Sequence, residues 1–182
     1  MRKILYSALL TFLMASCSSS HEGFVIHGYV EDPALDGAQV FLVPLKDAVK
    51  ENIDSVVIRK QKFEFKGTTE RMSDIRIEKL RRIGTQNLLV VTEPGDIYVT
   101  IGKQSSGYGT PQNDSLQVWK QLTEYRNQAV RILHEGGMKE QSDSVNKAYL
   151  DRTRQMVLNL REGTLHDFLD GLYPERNITE NK

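Results

Sequence analysis

The stretch Asn87–Gly102 constrains the fold more than any other part of the sequence. It contains two runs of apolar and β-branched residues, separated by Glu93-Pro94-Gly95-Asp96. Such runs, bounded by Pro and Gly, are typical of β-strands joined by a turn. The first run, Leu88–Val91, is apolar throughout, which predicts burial of both strand faces. The second run alternates and predicts one buried and one wetter face, the buried face carrying Ile97, Val99 and Ile101 and the wetter face Tyr98 and Thr100.

The turn between the two runs suits a change of sheet. Pro94 sets φ at about −65° and Gly95 accepts positive φ, so this pair favours a type II turn. Type II turns twist the wrong way for a tight two-residue hairpin. Either the loop is longer than two residues, or the two strands lie in different sheets. Both alternatives fit a sandwich.

Five further strand-like segments precede this pair at the short, regular spacing that is typical of β-sandwiches and barrels. Lys60-Gln61 has hairpin spacing but lacks the glycine or asparagine that such a turn prefers. Pro44 indicates that its strand ends at a sheet edge. Residues 23–103 are therefore predicted to form an antiparallel β-sandwich of about seven strands. The five segments are Phe24–Val30, Gln39–Leu45, Ile53–Arg59, Lys62–Lys66 and Ser73–Leu80.

The second half of the chain has helical periodicity. After a glycine- and serine-rich joint, Lys103–Gly109, apolar residues recur at three- and four-residue steps in 116–133 and again in 145–160. Residues 104–173 are therefore predicted to form a helical arm of two long helices and one short helix. Because the apolar stripes are narrow, we expect the arm either to pack back on the sheet or to dimerise.

The ends of the predicted helices carry recognisable signals. Pro111 suits the first position of a helix, because its missing N–H would be unpaired there in any case. Thr164 with Asp167 resembles a capping box at the start of the short third helix. The remaining residues, 174–182, are polar and are predicted to form a flexible tail.

The N-terminus has the features of an export signal over residues 1–16. Arg2 and Lys3 precede the apolar run Ile4–Met14, which is shorter than the roughly 20 residues that a membrane-spanning helix needs. Small residues follow, and then Cys17, the only cysteine of the chain. The segment Leu13-Met14-Ala15-Ser16-Cys17 resembles a bacterial lipoprotein lipobox, with Met14 where Leu is more usual.

The lipobox resemblance implies cleavage before Cys17, attachment of a diacylglyceryl group to its sulfur, and N-acylation. Several acyl chains anchor a protein stably, whereas one chain does not. Residues 17–22 would then form a lipidated tether. We expect the domain in the periplasm, anchored to a membrane of the cell envelope, with the outer membrane favoured over the inner one. A soluble secretory signal with a coincidental cysteine is the alternative.

Composition and motifs exclude several classes of function. The chain has 24 Lys and Arg residues and 24 Asp and Glu residues, so its formal net charge is zero. It therefore lacks the excess of positive charge that is typical of nucleic-acid-binding proteins. With Cys17 acylated, no disulfide, cysteine-based zinc site or thiol redox pair remains. The histidines are scattered at His21, His27, His134 and His166, without the spacing of metal ligands. The sequence therefore predicts no cofactor, no metal and no catalytic residues.

Two other features have simple structural interpretations. Trp119 lies on the apolar stripe of the first predicted helix, so core packing explains it better than stacking on a sugar. Tyr125 on the same helix could also stack on a sugar. A basic cluster fits a solvated strand end better than a site for lipid headgroups or an acidic partner. Its members are Arg76, Lys79, Arg81 and Arg82.

Six short motifs resemble, in order, those of the domain of unknown function at the N-terminus of many lipid-anchored thiol-disulfide oxidoreductases of Gram-negative bacteria. The similarity extends over about Phe24–Leu133. One departure is that Gln61-Lys62 stand where a glycine is usual before the fourth motif. The motifs are Phe24-Val25-Ile26-His27-Gly28, Asp36-Gly37-Ala38-Gln39-Val40-Phe41-Leu42, Asp54-Ser55-Val56, Phe63-Glu64-Phe65-Lys66-Gly67, Glu93-Pro94-Gly95-Asp96-Ile97 and Gly109-Thr110-Pro111-Gln112-Asn113-Asp114.

The resemblance implies an accessory β-domain with a helical arm and does not carry over the redox activity. Those oxidoreductases have a thioredoxin-like domain with a Cys-x-x-Cys centre, a motif that this sequence lacks. The expected function is a non-catalytic envelope lipoprotein that binds a partner protein or ligand near the membrane. The main alternative is an accessory partner of a separate thioredoxin-like oxidoreductase. The third is an enzyme whose site the sequence does not reveal.

Overall fold

A computed structural model describes residues 22–78 and 87–174 of the chain. Within them, eight strands form two four-stranded sheets, and three helices follow. The strands are β1 (Phe24–Val30), β2 (Gln39–Pro44), β3 (Asp54–Val57), β4 (Lys62–Gly67), β5 (Met72–Ile77), β6 (Leu88–Val91), β7 (Gly95–Ile101) and β8 (Ser106–Tyr108). The helices are α1 (Pro111–Glu135), α2 (Lys139–Asn159) and α3 (Thr164–Leu172).

The strand order corrects the predicted topology. The first sheet has the order β4-β1-β7-β8 and the second the order β3-β2-β5-β6. Neighbouring strands are antiparallel except β1 and β7, which run parallel with Phe24 opposite Gly95 and Val30 opposite Ile101. A parallel pair needs a long crossover connection. Here the connection between β1 and β7 contains the whole second sheet. No local sequence pattern indicates a pairing of strands so far apart in the chain.

The eighth strand lies inside the segment predicted as a joint, Lys103–Gly109. Strand β8 is only three residues long and pairs with β7, with Thr100 opposite Ser106. Helix α1 supports it from the other side, because the backbone N–H of Gly107 donates to Gln117 Oε1 at 3.2 Å. A three-residue strand with serine and glycine has no recognisable alternation, so the sequence could not reveal it.

The inward faces of both sheets form one hydrophobic cluster. Ile97 and Ile101 are fully buried while Tyr98, between them, is 45% exposed, so the predicted alternation of β7 is confirmed. Burying a large aliphatic side chain contributes about 1.5–3 kcal/mol to stability, which makes this cluster the main support of the fold. Its other fully buried members are Ile26, Val30 and Leu35 together with Val40, Leu42, Ile75 and Val90.

The Pro94-Gly95 turn carries the chain from one sheet to the other. Strand β6 belongs to the second sheet and β7 to the first, so the two runs of Asn87–Gly102 lie in different sheets. Gly95 has φ 125°, which a side chain would strain. Its backbone N–H donates to the carbonyl oxygen of Gly23 at 3.0 Å, which fixes the corner against the start of β1.

One prediction about the second sheet is wrong and another holds only in part. The alternation in Ser73–Leu80 predicts a solvated face opposite Ile75 and Ile77, and that face of β5 is exposed at Arg76 but buried at Asp74. Pro44 does not mark an edge strand, since β2 lies between β3 and β5. The β3 pairing ends at Leu42, so the missing N–H of Pro44 falls beyond it. The end of the predicted strand beyond Glu78 lies outside the described residues.

The helical arm packs back on the second sheet. Met72 and Val91 of that sheet share a cluster with helical residues, among them Trp119 and Leu169. Trp119 is 9% exposed and meets the ring of Phe168 edge-on at 6.1 Å, which confirms its interpretation as a core residue. None of the described helices combines the length and apolar content that crossing a bilayer requires.

The predicted capping box of α3 is wrong. Gly163 occupies the N-cap position, and Thr164 is the first residue of the helix. The hydroxyl of Thr164 donates to Glu70 Oε1 at 2.8 Å, while the backbone N–H of Asp167 donates to the carbonyl of Gly163 at 3.0 Å. A tertiary contact with Glu70 therefore replaces the local reciprocal pair that the sequence suggested.

Candidate functional site

The outer face of the first sheet carries a row of exposed rings. His27, Tyr98 and Tyr108 stand opposite one another on the adjacent strands β1, β7 and β8. The ring centroids of His27 and Tyr98 are 5.1 Å apart, and those of Tyr98 and Tyr108 are 6.1 Å apart. Both pairs are close to parallel, with interplanar angles of 21° and 27°. This aromatic row is the largest group of exposed rings in the described part of the chain.

Acidic side chains hold the histidine of the aromatic row. His27 Nε2 lies 2.8 Å from Asp96 Oδ1, and its Nδ1 lies 3.6 Å from Glu64 Oε2. Lys66 Nζ lies 2.8 Å from Glu64 Oε1, and this hydrogen bond with its positive charge lowers the pKa of the Glu64 carboxyl. A carboxylate beside an imidazole is a common way to orient a general base. In the described residues, no serine or threonine hydroxyl hydrogen-bonds this imidazole, so the pair lacks a nucleophile.

An open groove of about 640 Å³ runs beside the aromatic row. Tyr29 lies next to the row and is 43% exposed, and its hydroxyl accepts a hydrogen bond from Gln61 Nε2 at 3.2 Å. Arg59 and Lys62 line the same groove at the end of the β3–β4 hairpin. Neither has an ion-pair partner among residues 22–78 and 87–174. Glu64 also lines the groove, but its carboxylate is paired with Lys66. The groove therefore combines aromatic rings with two positive charges that have no ion-pair partner in the described residues.

A second groove, of about 660 Å³, lies between α1 and the β7–β8 turn. Lys120 lines it, and its Nζ donates to the carbonyl oxygen of Leu89 at 3.4 Å. Burial disfavours the charged ammonium and lowers the pKa of Lys120 to about 8. Strand β6 is an edge strand, so this contact satisfies a carbonyl that would otherwise lack a partner. We interpret Lys120 as a structural residue.

The motifs around Glu93 and Thr110 meet at the start of α1. The N-cap residue Thr110 makes no side-chain capping bond, and the Glu93 carboxylate takes that role. Its Oε1 accepts from the backbone N–H groups of Gln112 at 2.7 Å and Asn113 at 3.1 Å. A negative charge at a helix N-terminus also interacts favourably with the helix dipole.

Asn113 ties the same end of α1 to the edge of β6. Its amide oxygen accepts from the N–H of Val91 at 3.0 Å, and its amide nitrogen donates to the Val91 carbonyl at 2.8 Å. Gly109 has φ 110°, and a Cβ there would lie 2.6 Å from the Asp96 carbonyl oxygen. These motif residues therefore build a joint between sheet and helix and do not line a ligand site.

The joint also reaches the third helix. Gln112 Oε1 accepts from the backbone N–H of Leu165 at 2.8 Å, and Gln112 Nε2 donates to Glu70 Oε1 at 2.8 Å. Because Thr164 uses the same Glu70 oxygen, one carboxylate connects the starts of α1 and α3. This network positions the helical arm against the sheet.

The residues that the sequence singled out are distributed as follows. Cys17 and His21 lie outside the described residues, as do the tether up to residue 21 and the tail beyond Pro174. In the basic cluster only Arg76 is described, and its Nε contacts Asp74 Oδ2 at 2.8 Å. His166 lies 3.3 Å from Asp167, and His134 is exposed near the end of α1. In the described residues, no group of three or more His, Cys, Asp or Glu side chains could hold a metal ion.

The sequence alone does not indicate the aromatic row. Tyr98 was placed on the wetter face of its strand, but its neighbours across the sheet depend on the parallel β1–β7 pair and on β8. Neither pairing was predicted. The only signal available was that His27, Tyr29 and Tyr98 all occupy outward positions of their predicted strands.

Comparison with known proteins agrees with the motif analysis. A search of curated proteins and a search of solved structures each found no match. A family model described as "Domain of unknown function (DUF4369)" matches residues 24–116, about half of the chain. The matched range contains both sheets and the first turns of α1. No thioredoxin-like domain is detected in the chain. The chain therefore belongs to the DUF4369 family of domains of unknown function.

Proposed function

We propose that this protein is a lipid-anchored lipoprotein of the bacterial cell envelope whose folded part is a non-catalytic binding module. Lipidation at Cys17 would hold it to the membrane, with the outer membrane favoured and the domain in the periplasm. The two sheets contribute to a single core, which we interpret as a β-sandwich. No catalytic constellation has been found in the described residues, and the sole cysteine is assigned to the anchor.

Strand β1 begins only a few residues after the proposed anchor at Cys17. Gly23 lies at the start of β1, and its carbonyl accepts the N–H of Gly95. A Cβ at Gly23 would lie 2.2 Å from the carbonyl oxygen of Gly67, so the chain is packed closely from this residue onward. The residues between Cys17 and Gly23 span at most roughly 20 Å. The end of the sheets where α1 begins would therefore lie close to the membrane.

The groove beside the aromatic row is the observation that carries the binding role. Tyrosine and arginine are enriched at the centres of protein interfaces, because they combine large contact area with hydrogen bonding. Tyr29, Tyr98 and Tyr108 are each between 43% and 53% exposed on this face. Arg59 and Lys62 supply positive charge without a described ion-pair partner. We therefore propose that the occupant is an acidic segment of an envelope protein.

A photo-crosslinking residue in place of Thr100, which lines the groove, tests this proposal in cells. We expect an adduct with an envelope protein whose crosslinked peptide is rich in Asp and Glu. The double variant Arg59→Glu with Lys62→Glu should abolish the adduct, because like charges repel across the interface. Lys147→Glu on the exposed surface of α2 is the matched control and should leave it unchanged. An adduct that persists in the double variant would refute the groove as the site.

A second candidate is an accessory role for a separate thioredoxin-like oxidoreductase. It is favoured by the family membership, since the motifs resemble the domain that accompanies such enzymes. We then expect co-purification of the full chain with a protein that carries a Cys-x-x-Cys centre. Deletion should also change the thiol redox state of envelope proteins, and an unchanged redox state would count against this role.

A further inference from the structure

Five carboxamide side chains line the groove of about 660 Å³ between α1 and the β7–β8 turn. Each carboxamide carries both hydrogen-bond donors and an acceptor, so together they suit a ligand that is rich in groups of both kinds. The groove beside the aromatic row has no carboxamide in its lining. We call the groove at α1 the amide groove. Its five carboxamide residues are Asn87, Gln104, Gln117, Gln121 and Gln128.

Most of these carboxamides have polar atoms left for a ligand. Within the described part of the chain, the exposed side chains of Gln104 and Gln121 make no hydrogen bond. Gln117 Oε1 accepts from a backbone N–H of β8 at 3.2 Å, which leaves its Nε2 as a donor. Gln128 Nε2 donates to Glu124 Oε1 at 2.8 Å, which leaves its own oxygen as an acceptor. Both donors and acceptors are therefore available along the amide groove.

The amide groove also has an excess of positive charge. Lys103 and Lys120 line it, and neither has an ion-pair partner among residues 22–78 and 87–174. The contact of Lys120 with the Leu89 carbonyl uses one of its three N–H groups, so two remain. Glu124 is the acidic residue of the lining and lies one helical turn beyond Lys120. Two ammonium groups against one carboxylate favour an anionic ligand.

A single aromatic ring is available for contact in the amide groove. Tyr125 is 72% exposed, whereas the other two hydrophobic residues of the lining, Leu88 and Trp119, are 1% and 9% exposed. Grooves that bind peptides offer a free strand edge or apolar pockets for anchoring side chains. Here α1 hydrogen-bonds to the edge strands β6 and β8, and the lining presents no exposed apolar side chain besides Tyr125. A saccharide needs neither feature, since its hydroxyls donate and accept and its ring stacks on an aromatic face.

We propose that the amide groove binds an acidic saccharide, meaning a sugar chain that carries carboxylate or phosphate groups. Its anionic group pairs with Lys103 and Lys120, its hydroxyls bond to the unused carboxamide atoms, and one sugar ring lies on Tyr125. A volume of about 660 Å³ is within the ~300–1,000 Å³ of small-molecule sites. The two grooves share no lining residue, so this site does not depend on the one proposed for an acidic protein segment.

An array of saccharides tests the class of ligand. Full-length protein is applied to oligosaccharides of uronic acids, to phosphorylated oligosaccharides and to the neutral counterpart of each. We expect an acidic member to bind at least about tenfold more tightly than its neutral counterpart, because only the acidic member pairs with the two lysines. A preference for uronic acids would identify a carboxylate ligand, and a preference for phosphorylated sugars would identify a phosphate ligand. Equal binding of acidic and neutral members, or no binding of any acidic member, would overturn the proposal.

Two variants at exposed positions test the location of the site, with the acidic saccharide that binds best on the array. Lys103→Glu reverses one charge and should weaken binding about tenfold, and Tyr125→Ala removes the ring and should weaken it about fivefold. Lys147→Glu on α2 and Ile132→Ala on α1 are the matched controls outside the groove and should leave binding unchanged. All four side chains are exposed, so each variant should keep the thermal unfolding of wild type.

A peptide competitor separates a saccharide site from a peptide site. An excess of hexaglutamate should leave the saccharide bound, because the amide groove has neither a free strand edge nor an apolar pocket for a peptide. Displacement of the saccharide by this peptide would overturn the proposal. Saccharide binding that stays at the wild-type level in both Lys103→Glu and Tyr125→Ala would overturn it as well.

Discussion

Lys60 and Gln61 adopt an unusual backbone conformation that one carboxylate stabilises. Their φ angles are 53° and 61°, in the left-handed region that costs a residue with a side chain roughly 1 kcal/mol or more. Asp36 Oδ2 accepts the N–H of Lys60 at 3.0 Å, and its Oδ1 accepts that of Gln61 at 2.6 Å. The side-chain amide of Gln61 also donates to the Val30 carbonyl at 2.9 Å.

Asp36→Ala should therefore destabilise the protein by about 1–2 kcal/mol, because it removes two charge-assisted hydrogen bonds from a strained turn. Urea unfolding measures this as a lower midpoint. Glu51→Ala, at an exposed carboxylate with no hydrogen bond in the described residues, is the control and should change stability by less than about 0.5 kcal/mol. Equal effects of the two substitutions would contradict the role of Asp36.

This turn shows what can be predicted at the level of a residue. The sequence predicted a hairpin at Lys60-Gln61 from its spacing and identified the missing glycine as a departure. The hydrogen bonds that stabilise this turn without a glycine come from Asp36, which is 25 residues away from Gln61 in the sequence. Such a contact depends on the folded topology, and no local pattern contains it.

Lys120 should make the stability of the protein depend on pH. Its pKa is about 8 in the folded protein and 10.5 when it is unperturbed, since burial penalises the ammonium. Between these two pKa values the unfolded chain binds more protons than the folded protein does. The free energy of unfolding therefore rises with pH in this window, and this gain is lost again as the pH falls toward and through 8. Lys120→Met should remove this rise, while Lys147→Met on the exposed surface of α2 should retain it. Urea unfolding at pH 7 and pH 9.5 measures the difference, and identical pH profiles for all three proteins would refute the assignment.

At the scale of elements, α1 covers one edge of each sheet. Asn113, Gln117 and Lys120 follow one another at four- and three-residue steps and hydrogen-bond backbone groups of β6 and β8. Exposed sheet edges promote aggregation, and covering them with a helix is one way to prevent it. In an amphipathic helical pattern, polar residues such as these three are expected to face solvent. Their hydrogen bonds to the sheet edges could therefore not be predicted from the sequence. The existence of the three helices was predicted because their apolar stripes are long and periodic.

The carboxylate of Glu93 should be the main determinant of how α1 begins. Glu93→Ala leaves two backbone N–H groups at the buried helix start without their acceptor, which costs about 1–3 kcal/mol. Glu93→Gln should cost less, because its amide oxygen still accepts a hydrogen bond. The control is Glu124→Ala in the exposed middle of α1, with an effect below about 0.5 kcal/mol. Chemical unfolding gives the three values, and a Glu93→Ala variant as stable as the control would rule out the capping role.

At the scale of the whole molecule, the two sheets have different surroundings. Helices α1 and α3 pack on β5 and β6 of the second sheet, at Met72 and Val91, whereas the outer face of the first sheet presents the aromatic row to solvent. The sequence predicted the β-rich first part and the helical arm, since both follow from local periodicity. It did not predict which sheet the arm covers, because that depends on pairings between distant strands.

The proposed membrane location depends on lipidation at Cys17, which would hold the end of the sheets where α1 begins near the membrane. Mass spectrometry of the N-terminal peptide, from full-length protein made in a Gram-negative host, tests this most directly. We predict a mature chain that begins at Cys17, with a diacylglyceryl group on its sulfur and an acyl chain on its amino group. An unmodified Cys17 within a peptide that begins upstream of it would contradict the account.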